Sequence, residues 1–121
     1  MPIPVTIADD SALSRKNVRR SFPEDWDIIV SEATNGQEAI DAVESGLAEI
    51  LFLDLTMPVL DGFDVLRYVK SHHQKTVVIV ISADIQHKSV ELVYSLGAFR
   101  FLQKPLKSEE LRKTLHELGL L

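Results

Sequence analysis

Cysteine is absent from the 121 residues, and its absence excludes a disulfide framework, thiolate metal ligation and cysteine nucleophiles. No apolar run approaches the ~18 residues that span a bilayer. The start, MPIPVTIADD, lacks a basic leader and meets two acids early. A soluble, cytoplasmic chain with no membrane partner is expected. Positive charge is in the minority, 13 Lys and Arg against 18 Asp and Glu, for a net charge of −5. No overall field draws nucleic acid or anionic membrane, and no DNA-binding motif stands in these residues, so no direct nucleic-acid partner is expected. Repeats, low-complexity tracts and linkers are also missing. With 45% hydrophobic residues, one domain with one core is expected to fill residues 1–121.

Five short β-rich runs are present: VTIA from Val5, DIIVSE from Asp27, ILFLD from Ile50, VVIVIS from Val77 and FRFLQ from Phe99. Segments with helical spacing follow each of them. The first covers Ser11 to Phe22; the second, GQEAIDAVES, is stopped by Gly46; the third covers Phe63 to Ser71. The fourth, HKSVELVYSLG, spaces Val90, Val93 and Leu96 by three and ends at Gly97. The fifth is expected to use Ser108 as N-cap, with Glu109 and Glu110 favoured by the helix dipole and Leu111, Leu115 and Leu118 on one face. Strands alternating with helices of about ten residues indicate an α/β fold of parallel βαβ units. The solidly apolar third and fourth runs suit central strands covered on both sides. Right-handed crossovers then favour a doubly wound sheet of five strands and five helices, whose ligands bind outside the carboxyl ends of the strands.

Those ends carry the chemistry. In LFLDLTMPVLDG, residues 51–62, a strand-like run drives straight into Asp54, and a carboxylate there is costly unless something pairs with it. The first strand ends in Asp9 and Asp10, the fourth in Ser82 and Ala83, the fifth in Lys104 and Pro105. Three carboxylates brought to one rim repel unless a cation intervenes. Mg²⁺ suits such a site, because it takes a few carboxylate oxygens, keeps waters and accepts phosphate oxygens. Asp54 could then act as a nucleophile on phosphorus, giving an aspartyl phosphate. Lys104 would neutralise charge on the moving phosphoryl group, and the Ser82 hydroxyl would donate to its oxygens.

These residues, in this order and spacing, resemble the receiver domains of two-component response regulators, close in size to the single-domain chemotaxis regulators. The resemblance rests on Asp9 and Asp10, on Asp54 before Met57–Pro58 and Asp61–Gly62, on Ser82–Ala83 and on Lys104–Pro105. It implies the flavodoxin-like, CheY-like strand order 2-1-3-4-5. It also implies Asp54 as phosphoacceptor, Mg²⁺ on Asp9, Asp10, Asp54 and the Thr56 carbonyl, Ser82 following the phosphoryl group, Lys104 pairing with it, and a cis bond before Pro105. Phe101 occupies the position of a switch aromatic, here without a phenolic hydroxyl. Thr56 and Asp84, each two residues beyond an active-site residue, stand where access of the hydrolysing water is tuned. The implied partners are a histidine kinase or phosphotransfer protein, with a phosphatase or output protein possible and a monomer or phosphorylation-dependent dimer as the assembly. The implied role is signalling rather than turnover of a substrate.

Each feature also has a plainer reading. Adjacent acids after a strand can simply cap a helix, but Asp54 at a third strand end argues for a shared site. Lys104 alone would read as a surface lysine. Arg15, Lys16, Arg19 and Arg20 read as a solvated helix face, with kinase docking as the functional alternative. His72, His73, His87 and His116 lack metal spacing and are expected to be exposed. Met57 and Phe101 could serve the core alone. Three rival functions remain on the page. An aspartate-nucleophile phosphatase usually has a second aspartate where Thr56 stands. A flavodoxin-like cofactor binder should offer hydroxyls and glycines in its first loop, and no Walker-type GKS or GKT appears. A pseudo-receiver that only binds partners would have no need of all five functional positions.

Overall fold

The computed structural model describes residues 2–73 and 75–121. Strands and helices alternate as β1 (Ile3–Ala8), α1 (Ala12–Arg20), β2 (Ile28–Ala33), α2 (Gly36–Glu44), β3 (Ile50–Leu53), α3 (Gly62–His72), β4 (Val77–Ser82), α4 (His87–Ser95), β5 (Arg100–Gln103) and α5 (Ser108–Glu117). All strand pairs are parallel, in the order β2-β1-β3-β4-β5. This is the doubly wound α/β sheet that the alternation of runs predicts.

The central strands are apolar throughout because they feed two cores at once. Leu51 and Leu53 of β3, with Val78 and Val80 of β4, join Ile40 and Val43 of α2, Val65 and Val69 of α3 and Val93 of α4. Their neighbours in sequence, Ile50, Phe52, Ile79 and Ile81, join Val18 of α1 and Leu111 and Leu115 of α5 on the other face. Successive side chains of a strand point to opposite faces, so a strand covered on both sides favours apolar residues along its length, and the buried Thr6 of β1 is accommodated by donating its hydroxyl to the Leu47 carbonyl at 2.7 Å. Trp26 lies before β2, at the end of the sheet remote from the strand carboxyl termini. It packs edge-on to Phe22 and Phe52 with ring centroids 5.4 and 6.3 Å apart.

Helix starts follow the expected chemistry in three of five cases. Ser11, Asn35 and Asp61 accept from Ser14, Glu38 and Asp64 N–H groups at the starts of α1, α2 and α3. Ser108 does not act as the N-cap of α5. The first intrahelical bond runs from Leu111 N–H to the Lys107 carbonyl, so Lys107 holds the cap position and Ser108 is the first helical residue. Glu109 and Glu110 still occupy the first turn, where the dipole favours them. Gly46 and Gly97 end α2 and α4 with φ of 77° and 96°, as their place in the sequence suggests. His73 departs from the expected exposure: it is half-buried, its Nε2 2.6 Å from Glu44 Oε1 at the end of α2.

The start of α2 is wedged against the loop that leaves β3. A Cβ on Gly36 would lie 2.0 Å from the Leu60 carbonyl oxygen, a backbone atom that cannot step aside. Gly36→Ala is expected to cost about 3 kcal/mol, the upper range for overpacking, and urea unfolding against wild type measures it.

Candidate functional site

The sheet itself carries the predicted residues to one rim. Asp54 N–H donates to the Ala8 carbonyl at 2.9 Å, Asp9 N–H to Ala33 at 3.0 Å and Lys104 N–H to Ser82 at 3.0 Å. Each of these residues therefore extends the parallel ladder one step past a strand, where ligand sites of this architecture lie. Gly62 lets the β3–α3 loop fold back tightly: a Cβ there would meet the Asp54 carbonyl oxygen at 2.4 Å.

One carboxylate oxygen from each of Asp9, Asp10 and Asp54 lies within 4.8 Å of the other two. Asp9 and Asp54 are buried, 3% and 7% exposed, while Asp10 is exposed. Lys104 Nζ donates to Asp9 Oδ2 at 2.8 Å and lies 3.4 Å from Asp54 Oδ1. The lysine thus bridges two carboxylates, and the pair expected with Asp54 is the longer of its contacts. Asp9 Oδ1 accepts from Ser11 N–H at 2.9 Å. Burial first, then the charge of Asp9, raises the Asp54 carboxyl above the ordinary aspartate range, with Lys104 and the Leu55 N–H opposing. For Lys104, burial disfavours the charge, but its bond to Asp9 and the charges of Asp54 and Asp9 outweigh this and raise it overall.

Magnitude decides what this cluster needs. Two carboxylates about 5 Å apart at an effective dielectric of 20 repel by roughly 3 kcal/mol, and the one ammonium touches two of the three. The donors are all carboxylate oxygens, a set that suits a hard oxygen-seeking cation rather than a soft one. The cluster could therefore hold a metal ion.

The remaining predicted residues surround it. Ser82 closes β4, is buried, and its Oγ accepts from Asp84 N–H at 3.0 Å. Thr56 and Ala83 are exposed on the loops after β3 and β4. Asp84, which follows Ser82 by two residues, is tied to α4. Its oxygens accept from Ser89 Oγ at 2.7 Å and Gln86 N–H at 3.0 Å, and these bonds, Ser89's first, lower its pKa. Phe101 is half-buried against the core on the α2–α3–α4 side. The Lys104–Pro105 bond is cis.

Three residues escaped sequence reasoning. Tyr94 of α4 brings a phenolic oxygen to the Phe101 N–H at 2.9 Å, so the hydroxyl that Phe101 lacks reaches β5 from a neighbouring helix. Its position just before the Leu96–Gly97 turn is the only sequence cue. Ser89, five residues after Asp84, had no cue. Arg15, grouped with the solvated cations of its helix, is largely buried, its side chain 15% exposed.

Fold and site together define an acidic-pocket α/β domain of the doubly wound type. The chain belongs to the response regulator receiver domain family, whose model matches residues 5–116, and it is a signalling domain of the two-component kind. It is 35% identical over 117 residues to the transcriptional regulatory protein BtsR of Salmonella typhi, covering 96% of this chain and 48% of that protein. It is 38% identical over 122 residues to protein-glutamate methylesterase/protein-glutamine glutaminase 3 of Geobacter sulfurreducens, covering 94% of this chain and 32% of that protein. The signal receiver domain of NarL from Mycobacterium tuberculosis superimposes with a TM-score of 0.86 at 29% identity, covering 98% of this chain and 96% of the other. The chain spans between a third and a half of the length of the two curated relatives. Among the described residues no helix is long and apolar enough to cross a membrane.

The raised pKa of Asp54 fixes the sign of a stability change. Stability linked to its protonated form is complete below the ordinary aspartate value and is lost as pH rises through the raised folded value. In EDTA, Asp54→Asn is expected to melt higher than wild type at neutral pH, the gap closing as pH falls into the carboxylate range. Melting curves across pH check this, and equal Tm values at neutral pH would contradict it.

Beside the cluster, Val59 has φ 69° in a tight turn closed by Leu60 N–H on the Pro58 carbonyl at 2.8 Å. A β-branched residue in that region costs about 1–3 kcal/mol. Val59→Gly relieves it against an unfolded-state entropy penalty of roughly 1 kcal/mol. A net gain of about 1 kcal/mol is expected, and denaturant midpoints measure it.

Proposed function

We propose that residues 1–121 act as the phosphoacceptor of a two-component relay, with Asp54 taking a phosphoryl group from a phosphohistidine of a kinase or phosphotransfer protein, or from a small acyl phosphate. The observation that carries this reading is the convergence of Asp9, Asp10 and Asp54 on one point within reach of Lys104. An oxygen of the Asp54 carboxylate attacks phosphorus; the O–P bond forms as the P–N bond breaks, and the imidazole departs with the electron pair. Asp54 is buried at the end of a rigid strand, so its nucleophilic oxygen loses little freedom on reaction. Lys104 shifts its charge from the carboxylate to the arriving phosphoryl oxygens. The Ser82 oxygen accepts from Asp84 N–H, which leaves its own hydrogen free to donate to the phosphoryl group. Mg²⁺, held by Asp9, Asp10, Asp54 and the Thr56 carbonyl, would neutralise charge on the phosphoryl oxygens when bound. Water attack on the acyl phosphate restores Asp54, and exposed Thr56 flanks that approach.

The same contacts offer a route to an output. Movement of the Ser82 hydroxyl toward the phosphoryl group withdraws the acceptor of Asp84 N–H. Asp84 holds Ser89 of α4, and Tyr94 at the other end of that helix holds the Phe101 N–H. An inward turn of Phe101 then shifts the α4–β5–α5 surface between two populated states, the surface that an output protein or a second copy would read. This activity is self-modification in a cytoplasmic setting, with a separate kinase upstream, rather than catalysis on a released substrate.

Intact-mass analysis after incubation with acetyl phosphate and Mg²⁺ tests the reading on wild type and Asp54→Asn. One added phosphoryl group is expected on wild type in the presence of Mg²⁺, with none in EDTA and none on the variant. No Mg²⁺-dependent addition to wild type would sink it.

A further inference from the structure

Arg15 links the end of β2 to the end of β1. Its Nε donates to Glu32 Oε1 at 2.6 Å, and its Nη1 donates to the Asp9 backbone carbonyl at 2.8 Å. Glu32 stands opposite Ile7 in the β1–β2 register, so its carboxylate is anchored to the strand that precedes Asp9. The two peptides that flank the Asp9 Cα are each held, the Ala8–Asp9 peptide by the Asp9 N–H on the Ala33 carbonyl at 3.0 Å and the Asp9–Asp10 peptide by Arg15 on the Asp9 carbonyl. That carbonyl belongs to the peptide joining Asp9 to Asp10, and its plane sets where the Asp10 side chain leaves the backbone.

We infer that Arg15 is a positioning residue of the acidic cluster: anchored by Glu32, its guanidinium locks the Asp9–Asp10 peptide so that both carboxylates stand ready for one divalent cation. The inference rests on the metal reading of the site. Arginine suits the task because its planar fork reaches two acceptors at fixed geometry, which a lysine ammonium does not.

Two effects of removing Arg15 oppose each other. Loss of a positive charge near the cluster favours a divalent cation, whereas loss of the lock leaves a peptide that must be ordered when the ion binds. Glu32, 2.6 Å from the guanidinium, offsets part of its field at the cluster, so the ordering effect is expected to win. Partners one shell out from a ligand are worth about tenfold or more in metal affinity. Mg²⁺ binding should therefore weaken, against the sign that charge alone dictates.

The test is a MgCl₂ titration without any phosphodonor, followed by isothermal calorimetry and by the amide resonances of Asp9, Asp10 and Asp54. Wild type, Arg15→Ala, Glu32→Ala and the control Arg112→Ala are compared, each with its Tm. Arg112 makes an ion pair with Asp25 at 3.3 Å, at the far end of the sheet. Arg15→Ala is expected to raise the Mg²⁺ dissociation constant about tenfold, Glu32→Ala to raise it less, and Arg112→Ala to leave it unchanged even where it lowers Tm. An unchanged or tighter constant in Arg15→Ala overturns the inference; should that variant not fold, an unchanged constant in Glu32→Ala does so. Wild type that binds no Mg²⁺ at millimolar concentrations removes the metal reading and this inference together, while normal wild-type binding with unaltered variants removes the inference alone.

Discussion

The repulsion between Asp9 and Asp54, two buried carboxylates with oxygens within 4.8 Å of each other, is the constraint around which this end of the molecule is built. Lys104 answers part of it by bridging both. Ser11 and Leu55 N–H groups answer a little more. Burial first, and then the remaining repulsion from Asp9, keep the Asp54 carboxyl above its ordinary pKa and leave an oxygen-lined point where positive charge is favoured. A site with these properties could hold a cation in a place that the fold itself prepares.

The sheet makes that arrangement possible. Parallel strands all end on one side, so residues as far apart in sequence as Asp9 and Lys104 meet without any loop having to carry them. The apolar β3 and β4, filled on both faces, form a stiff mount, and Asp9, Asp54 and Lys104 sit one residue past the strands, their N–H groups making the last ladder bonds. The connection after β3 carries a strained residue, Val59 with its positive φ, and is packed tightly, Gly62 within it and Gly36 at the start of α2 admitting close backbone approaches. Helix α4 contributes one fully buried side chain, Val93, and is held largely by Asp84, Lys70 and Tyr94 through single hydrogen bonds to Ser89, the Ser95 carbonyl and the Phe101 N–H. An element held by a few polar contacts can change partners at low cost.

The elements were legible because their signals are local. Runs such as VVIVIS admit only a strand covered on both faces, and Gly46 and Gly97 mark helix ends through a backbone freedom that other residues lack. Ser108 misled because a good capping side chain does not by itself choose the first turn. The chain enters α5 one residue earlier, at Lys107, and the acids of the first turn supply the favourable charge there. Asp84 was legible as a residue near the site but not as an anchor, since its partner Ser89 is chosen by where α4 begins.

By itself, the sequence determined the parallel α/β class and the assembly of acids and lysine at the strand ends. Periodicity, absent cysteines and strand-terminal charges are properties of the chain read one residue after another. Only the tertiary structure decided that Lys104 leans closer to Asp9 than to Asp54, that Arg15 leaves its solvated neighbours to bind the Asp9 carbonyl just past β1, and that Tyr94 supplies a hydroxyl to β5. Those choices depend on distances between elements, which packing sets and no local pattern encodes.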